Sequence, residues 1–397
     1  DTTAPSVSVS HSPTSSIQAS TSVTITATAT DNVGVSNIEI LVDGLLKKIC
    51  TSSPCIHPST YSDGAHNYYA TAKDAANNLG RDPAGSGTKS FTVSAAPPPP
   101  SGSGIWISRQ EIAALPMSGS GWNNVKSAAD GSCGTPNLAN QDDPTNVCVM
   151  AKALVYARTG QESYRSGVVA ALRSIVNSGT YSGRALALGR ELIAYPIAAD
   201  LIDLKTYDPA LDSQFRNKIK QLLTTSTSGG PSSLINCHED RPNNWGNHCG
   251  GSRIAVDLYL GDTADLQRAA QVFKGWLGDR SSYAGFAYGD LSWQCNPSAP
   301  VGVNPKGCIK SGHSIDGVLP DDQRRCGGFS WPPCHTGYNW EGLQGVIAQA
   351  VMLNRAGYDA WNWQDKALLR AVQWLHTESN DPAGSDDTWA PHVINYY

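Results

Sequence analysis

Amide, imidazole and carboxylate side chains are concentrated in one short stretch, NCHEDRPNNWGNHCGG, which begins at Asn236. Its glycines and proline predict a loop up to about Asn247, and the following CGGSRIAVDLYLG predicts a helix. If helical geometry already begins near Asn243, then Asn244 and His248 lie four residues apart and share one face. Such a face can bind a polar ligand and exchange a proton. The structural alternative is that the asparagines cap the helix and His248 satisfies a buried carbonyl group.

A second polar cluster, HSIDGVLPDDQRRCGGFSWPPCHTGYNWEGLQ, begins at His313. Its loop delivers Tyr338 to the mouth of a helix that we expect to begin near Trp340. Arginines close by in sequence, Arg325 among them, favour the phenolate electrostatically, so Tyr338 can act in proton transfer. The structural alternative makes Tyr338 a packing residue at a helix N-terminus.

These residues resemble the α/α-toroid alginate lyases and related polyuronate lyases. Their pattern D-G-x-L-P-x-E-x-x-R, followed by Y-x-x-x-x-L-Q, is matched here by Asp316, Gly317, Leu319, Pro320, Arg325, Tyr338, Leu343 and Gln344. Asp322 stands in place of the glutamate. The extra residues between Arg325 and Tyr338 are bracketed by Cys326 and Cys334, which predicts a disulfide-closed insertion.

The family also carries Asn-Asn-His at the start of a helix, and two alignments of NNWGNH are open. The first pairs Asn243 and Asn244 with the asparagines and puts Trp245 at the histidine position. The second keeps the dipeptide Asn247-His248 and shortens the helix by three residues. The resemblance implies Asn244, His248, Arg325 and Tyr338 as catalytic residues. We expect substrate contacts from Arg190, Asn243, Trp245, Asn247 and Trp340.

The reaction implied is β-elimination on a 4-linked polyuronate of the alginate or glucuronan type. The enzyme must neutralise the uronate carboxylate, remove the C5 proton and protonate the leaving oxygen. His248 or Tyr338 can be the base, and Tyr338 can also be the acid. Amide and cationic donors suffice for this chemistry, and no Cys-x-x-Cys pair or acidic loop matches a ligand set. We therefore expect no metal or other cofactor, and an acidic polysaccharide as the partner.

Two other functions fit the sequence. A glycoside hydrolase on the same toroid needs two carboxylates that flank the scissile bond. The candidates are Glu239, Asp240, Asp316, Asp322 and Glu341. The second alternative is a carbohydrate-binding or adhesion protein in which the helical part is a scaffold.

Composition and cysteine use indicate the compartment. The 397 residues carry a net charge of −5, which argues against a nucleic-acid binder, and no apolar run approaches a membrane span. We expect a monomer. The start, DTTAPSVSVS, does not read as a signal peptide and suggests a mature or trimmed chain. Ten cysteines fall in neighbouring pairs, which predicts five local disulfides and secretion: 50/55, 133/148, 237/249, 295/308 and 326/334.

Two domains position these residues. Short alternating runs in residues 1–94 predict an antiparallel β-sandwich, and the opening DTTAPSVSV with ATDNVGVSNIEILVDG resembles bacterial immunoglobulin-like modules. Residues 95–104 are rich in proline, glycine and serine and predict a linker. From residue 105 to 397 the apolar spacing is helical, and hairpins with short glycine turns recur. The long irregular stretches between them favour an all-α (α/α) toroid over an open superhelix.

Overall fold

The computed structural model describes residues 1–14, 17–18, 22–61, 64–94 and 104–397. Two compact units are present, Asp1–Pro97 and Pro98–Tyr397. The predicted linker, residues 95–104, lies outside the described residues except for Gly104.

The first unit is a β-sandwich. Its strands are β1 (Ser6–Ser12), β2 (Ile17–Gln18), β3 (Val23–Thr30), β4 (Val35–Val42), β5 (Leu45–Cys50), β6 (Cys55–Ser59), β7 (Gly64–Asp74), β8 (Leu79–Asp82) and β9 (Lys89–Ser94). One sheet has the order β1-β3-β6, and the other has the order β2-β9-β7-β4-β5 with β8 on β7. The described pairs are antiparallel except for β2–β9.

Apolar and polar residues alternate along the strands of this sandwich. In β3 the side chains of Val23, Ile25 and Ala27 are fully buried, while the threonines between them face outward. A period of two puts one face of each strand into the core, where Phe91 and Tyr68 also pack. The predicted immunoglobulin-like sandwich is confirmed.

The second unit is largely helical, as predicted. Its helices are α1 (Arg109–Ala114), α2 (Gly119–Asp130), α3 (Thr145–Thr159), α4 (Glu162–Asn177), α5 (Ala185–Glu191), α6 (Ala194–Leu201), α7 (Leu204–Tyr207), α8 (Pro209–Thr224), α9 (Leu234–Asp240), α10 (Asn244–Leu260), α11 (Thr263–Trp276), α12 (Pro320–Gln323), α13 (Gly337–Arg355), α14 (Trp363–Thr377) and α15 (Ala390–Tyr396). A short hairpin of β10 (Ile309–Lys310) and β11 (His313–Ser314) lies in the long loop before α12. None of the helices in the described part of the chain is long and apolar enough to cross a membrane.

Inner and outer helices differ in burial. The inner helices α5, α10 and α13 are covered along most of their length, and α10 contacts both of the others. The outer helices α4, α8 and α11 bury one stripe each and expose the opposite face, as an amphipathic pattern requires. This two-layer arrangement follows from the helical hairpins in the sequence.

A buried ion network fastens α10 to its neighbours. The guanidinium of Arg253 on α10 is 1% exposed and pairs with Asp265 on α11 at 2.6 Å and with Glu239 on α9 at 3.0 Å. Removing one partner of such a buried set leaves an uncompensated charge, which typically costs about 3–5 kcal/mol. The network thus fixes the position of α10 relative to α9 and α11.

Four of the five predicted disulfides are present: Cys50–Cys55, Cys133–Cys148, Cys295–Cys308 and Cys326–Cys334. The fifth prediction is wrong, because Cys237 and Cys249 are free and buried. Each thiol donates to a backbone carbonyl instead, Cys237 to Trp245 and Cys249 to Ala185, both at 3.4 Å.

Candidate active site

The site is built around the N-terminus of α10. The predicted loop up to about Asn247 is wrong, because α9 covers Leu234–Asp240 and α10 begins at Asn244. The condition under which Asn244 and His248 share one helix face is therefore met. Asn243 is the N-cap residue, and its Oδ1 accepts a hydrogen bond from the backbone N–H of Trp245 at 3.2 Å. Asn244, Asn247 and His248 therefore lie within the first turns of one helix, where residues three and four apart are neighbours.

Carboxyl groups of two other elements hold the first two asparagines. Asn243 Nδ2 donates to Asp321 Oδ2 at 2.9 Å. Both polar atoms of the Asn243 side chain are therefore hydrogen-bonded, and the side chain caps the helix. Asn244 donates its backbone N–H to Asp322 Oδ1 and its Nδ2 to Glu341 Oε2, both at 3.0 Å. The opening of α10 is thus tied to α12 and to α13.

Three polar atoms at this opening lack partners among the described residues. They are Asn244 Oδ1, Asn247 Nδ2 and His248 Nε2, all of them buried. A buried polar atom without a hydrogen bond is costly, so a cluster of them marks a place where a polar ligand can bind. Two acceptors and one amide donor suit the hydroxyl and carboxyl groups of a sugar acid.

His248 has a ring nitrogen without a partner at this opening. Burial, with a smaller effect from the Arg190 guanidinium, lowers the pKa of His248 to about 3, against the opposing influence of the Glu341 backbone. The ring is therefore neutral near pH 7. Its Nε2 is buried and has no hydrogen-bond partner among the described residues, so this nitrogen can contact a ligand. The structural alternative for His248, a bond to a buried carbonyl, concerns one nitrogen of the ring alone.

Arg190 lies on the neighbouring helix α5. Its side chain is 24% exposed, and its Nη1 lies 4.0 Å from Asp142 Oδ1. A distance of this length between partly exposed groups is a weak ion pair. Arg190 is therefore free to pair with another anion, and its guanidinium is near enough to His248 to lower the pKa of the ring.

Tyr338 and Arg325 contact each other at the start of α13. The guanidinium of the exposed Arg325 lies over the phenol ring of Tyr338, 4.2 Å from its centroid, as a cation–π pair. Helix α13 begins at Gly337, three residues before the predicted start, so Tyr338 lies inside its first turn. Tyr338 and Glu341 are three residues apart and occupy the same helix face.

The two tryptophans expected to bind substrate have different surroundings. Trp340 is 3% exposed, and its Nε1 donates to the backbone carbonyl of Asp381 at 3.1 Å. Trp340 is therefore a core residue. Its predicted contact with substrate is corrected here, because the packed ring has almost no exposed surface. Trp245 is half-buried, and its ring lies close to Gly230.

Glycines allow α10 and α13 to approach closely enough to form the site. A Cβ added at Gly345 would lie 2.5 Å from the backbone carbon of Asn247 and 2.6 Å from the nitrogen of His248. At Gly342 it would lie 2.6 Å from Asp322 Oδ2. The roles of Gly342, Gly345 and the Asp321-Asp322 pair were missed from the sequence, although glycines three apart on an apolar helix are a recognisable signal of close packing.

The carboxylates proposed for a hydrolase are mostly engaged. Glu239 pairs with Arg253 and Arg268, and Asp316 pairs with Arg370. Of the other two acids, Asp322 is fully buried and Asp240 forms an ion pair with Arg241. Glu341 is the partly exposed carboxylate at the site, and it accepts a hydrogen bond from Asn244.

One group of potential metal-ligating side chains occurs in the described residues. The carboxylates of Asp1, Asp31 and Asp74 lie within 4.8 Å of one another in the β-sandwich. The group lies outside the helical unit and shares no residue with the α10 opening.

Comparison with known proteins gives a family match for the first unit. Residues 5–93 match a family described as Bacterial Ig domain. A solved structure of Clostridium thermocellum CbhA fibronectin(III)-like modules is 24% identical, with a TM-score of 0.21; the alignment covers 23% of this chain and 48% of that one. No curated protein sequence matches.

A second solved structure aligns along most of the chain. It is named Polysaccharide Lyase BACCELL_00875, with 10% identity and a TM-score of 0.18. The alignment covers 94% of this chain and 64% of that one. The chain thus spans about half and about two thirds of the lengths of these two structures.

Proposed function

We propose that this chain is a secreted polysaccharide lyase that cleaves a 4-linked polyuronate, of the alginate or glucuronan type, by β-elimination. The observation that carries the proposal is His248, a neutral imidazole whose Nε2 has no partner in the described part of the chain, near Arg190 and on the same helix turns as amide atoms of Asn244 and Asn247 that likewise have none. The four disulfides and the immunoglobulin-like unit are compatible with an extracellular protein.

The reaction assigns a task to each group. His248 Nε2 takes the C5 proton, and the electron pair of that C–H bond forms the C4=C5 double bond. The bond from C4 to the glycosidic oxygen breaks, and Tyr338 gives its phenolic proton to the leaving oxygen. Arg190, Arg325 and the amide of Asn247 offset the charge that develops on the uronate carboxylate.

Substrate binding strengthens the base. A pKa of about 3 makes His248 a weak base in the free enzyme. An anionic uronate beside the ring favours its protonated form and neutralises the opposing charge of Arg190, so both changes raise its pKa. The histidine then accepts the proton more readily in the complex.

The test is a panel of purified polyuronates monitored by ultraviolet absorbance and by a reducing-end assay. A lyase produces the absorbance of a C4=C5 double bond conjugated with the carboxylate, whereas a hydrolase produces reducing ends alone. A binding protein produces neither. If His248 is the base and Tyr338 the acid, both His248→Gln and Tyr338→Phe should remove activity. If the tyrosine serves as both base and acid, Tyr338→Phe should remove activity and His248→Gln should not.

A further inference from the structure

Two consecutive carboxyl groups on α12 face the start of α10 and are bonded differently. Asp321 pairs with Arg324 at 2.6 Å and accepts the Asn243 amide at 2.9 Å. Asp322 accepts the backbone N–H of Asn244 through Oδ1 at 3.0 Å. Its Oδ2 is buried and has no hydrogen-bond partner among the described residues.

The Asp322 carboxyl occupies space left by a glycine. A Cβ added at Gly342 on α13 would lie 2.6 Å from Asp322 Oδ2 and 3.3 Å from Asn247 Nδ2. Asp322 itself is 0% exposed, so a polymer in solution cannot reach it. The carboxyl group therefore lies behind the site, against both helices that carry the proposed catalytic residues.

We propose that Asp322 is a positioning residue: its carboxyl group fixes the N-terminus of α10 against α13 and thereby orients Asn244, Asn247 and His248. The inference rests on the proposed function, since these are the side chains assigned to the uronate. Asp322 acts through them and does not touch the substrate.

The surroundings of this carboxyl group favour its protonated form. Burial, together with the negative charges of Asp321 and Glu341, raises the pKa of Asp322 well above its usual range, against the opposing influence of the Asn244 N–H and of Arg325. A neutral acid can accept from Asn244 without placing a charge between the helices. Ionisation as the pH rises would introduce that charge, so activity should fall with it.

Asp322→Asn and Asp322→Ala test the inference together. The amide keeps the shape, the acceptor and the neutrality, so kcat should stay within about tenfold of the wild-type value, and the loss of activity with rising pH should move to higher pH. The alanine removes the acceptor and should lower kcat about 10²-fold, the effect of a misplacement of about 1 Å, with little change in KM. Asp321→Asn is the companion variant: it breaks an ion pair and removes a negative charge that helps raise the pKa of Asp322, so it should lower stability and move the loss of activity to lower pH.

A spectroscopic measurement separates this inference from the proposed activity. In ¹⁵N-histidine-labelled protein, the ring nitrogens of His248, assigned by the loss of their signals in His248→Gln, report the tautomer and the surroundings of the ring. Their shifts should change in Asp322→Ala and match the wild type in Asp322→Asn. Unchanged signals in the alanine variant, or an asparagine variant as impaired as the alanine one, would overturn the positioning role. Absence of lyase activity in the wild type would reject the proposed function, and the spectra would still decide the role of Asp322.

Discussion

Replacing Gly345 by alanine tests whether close helix packing forms the site. The new methyl group would lie 2.5 Å from the Asn247 carbonyl carbon and 2.6 Å from the His248 nitrogen, and ordinary contact needs about 3.5 Å. Because these are backbone atoms, α10 and α13 must separate by roughly 1 Å. Overpacking of this kind costs about 1–3 kcal/mol, against a gain in helix propensity of about 1 kcal/mol.

The same displacement acts on the chemistry. A shift of roughly 1 Å at His248 can reduce turnover about 10²-fold even when the fold survives. Gly337→Ala is the matched control on α13, because a Cβ there lies within 4 Å of no atom of the described residues. It should leave turnover unchanged and stability equal or slightly higher.

The assays are the initial rate of double-bond absorbance and the urea midpoint of each variant. We expect Gly345→Ala to be slower and less stable than Gly337→Ala. Equal rates and equal midpoints for the two variants would refute the argument that glycine at position 345 sets the position of His248.

Three further outcomes are expected. Tyr338→Phe should lower kcat by about 10²–10⁴-fold with much less effect on KM, measured as steady-state kinetics on the best polyuronate; a near-normal kcat would leave the tyrosine only a packing role. Burial, aided by Asp143, raises the pKa of Glu191 from 4.5 to about 8, so its contribution to stability is complete below pH 4.5 and is lost as the pH rises to 8. Relative to Glu191→Gln, the free energy of unfolding should therefore fall by up to about 1.4 kcal/mol per pH unit in that window, and urea titrations showing a pH-independent difference would contradict this. Cys237 and Cys249 should be alkylated only after unfolding, as intact mass would show; a disulfide between them, or labelling of the native protein, would disagree with the structure.

The sequence determined the elements of the fold because their signals are local. Alternation with a period of two in VTITATAT specifies a half-buried strand wherever the segment is placed, and helical spacing specifies the hairpins in the same way. Neighbouring cysteines such as Cys326 and Cys334 are brought together by short loops, so four pairings followed from spacing. Cys237 and Cys249 are as near in sequence but lie on two helices, α9 and α10, and do not pair. The common helix face of Asn244 and His248 followed from their spacing only on the condition that α10 starts as early as it does.

Contacts between distant segments were decided by the tertiary structure alone. Asp322 meets Asn244 across 78 positions of sequence, and Glu341 meets it across 97, so no local pattern could indicate either bond. The same applies to Trp340, whose burial depends on the segment around Asp381. Burial acts through space, and it determines how weakly His248 holds a proton and leaves its Nε2 without a partner among the described residues. Chemistry of that kind depends on the environment that the folded chain creates around a residue.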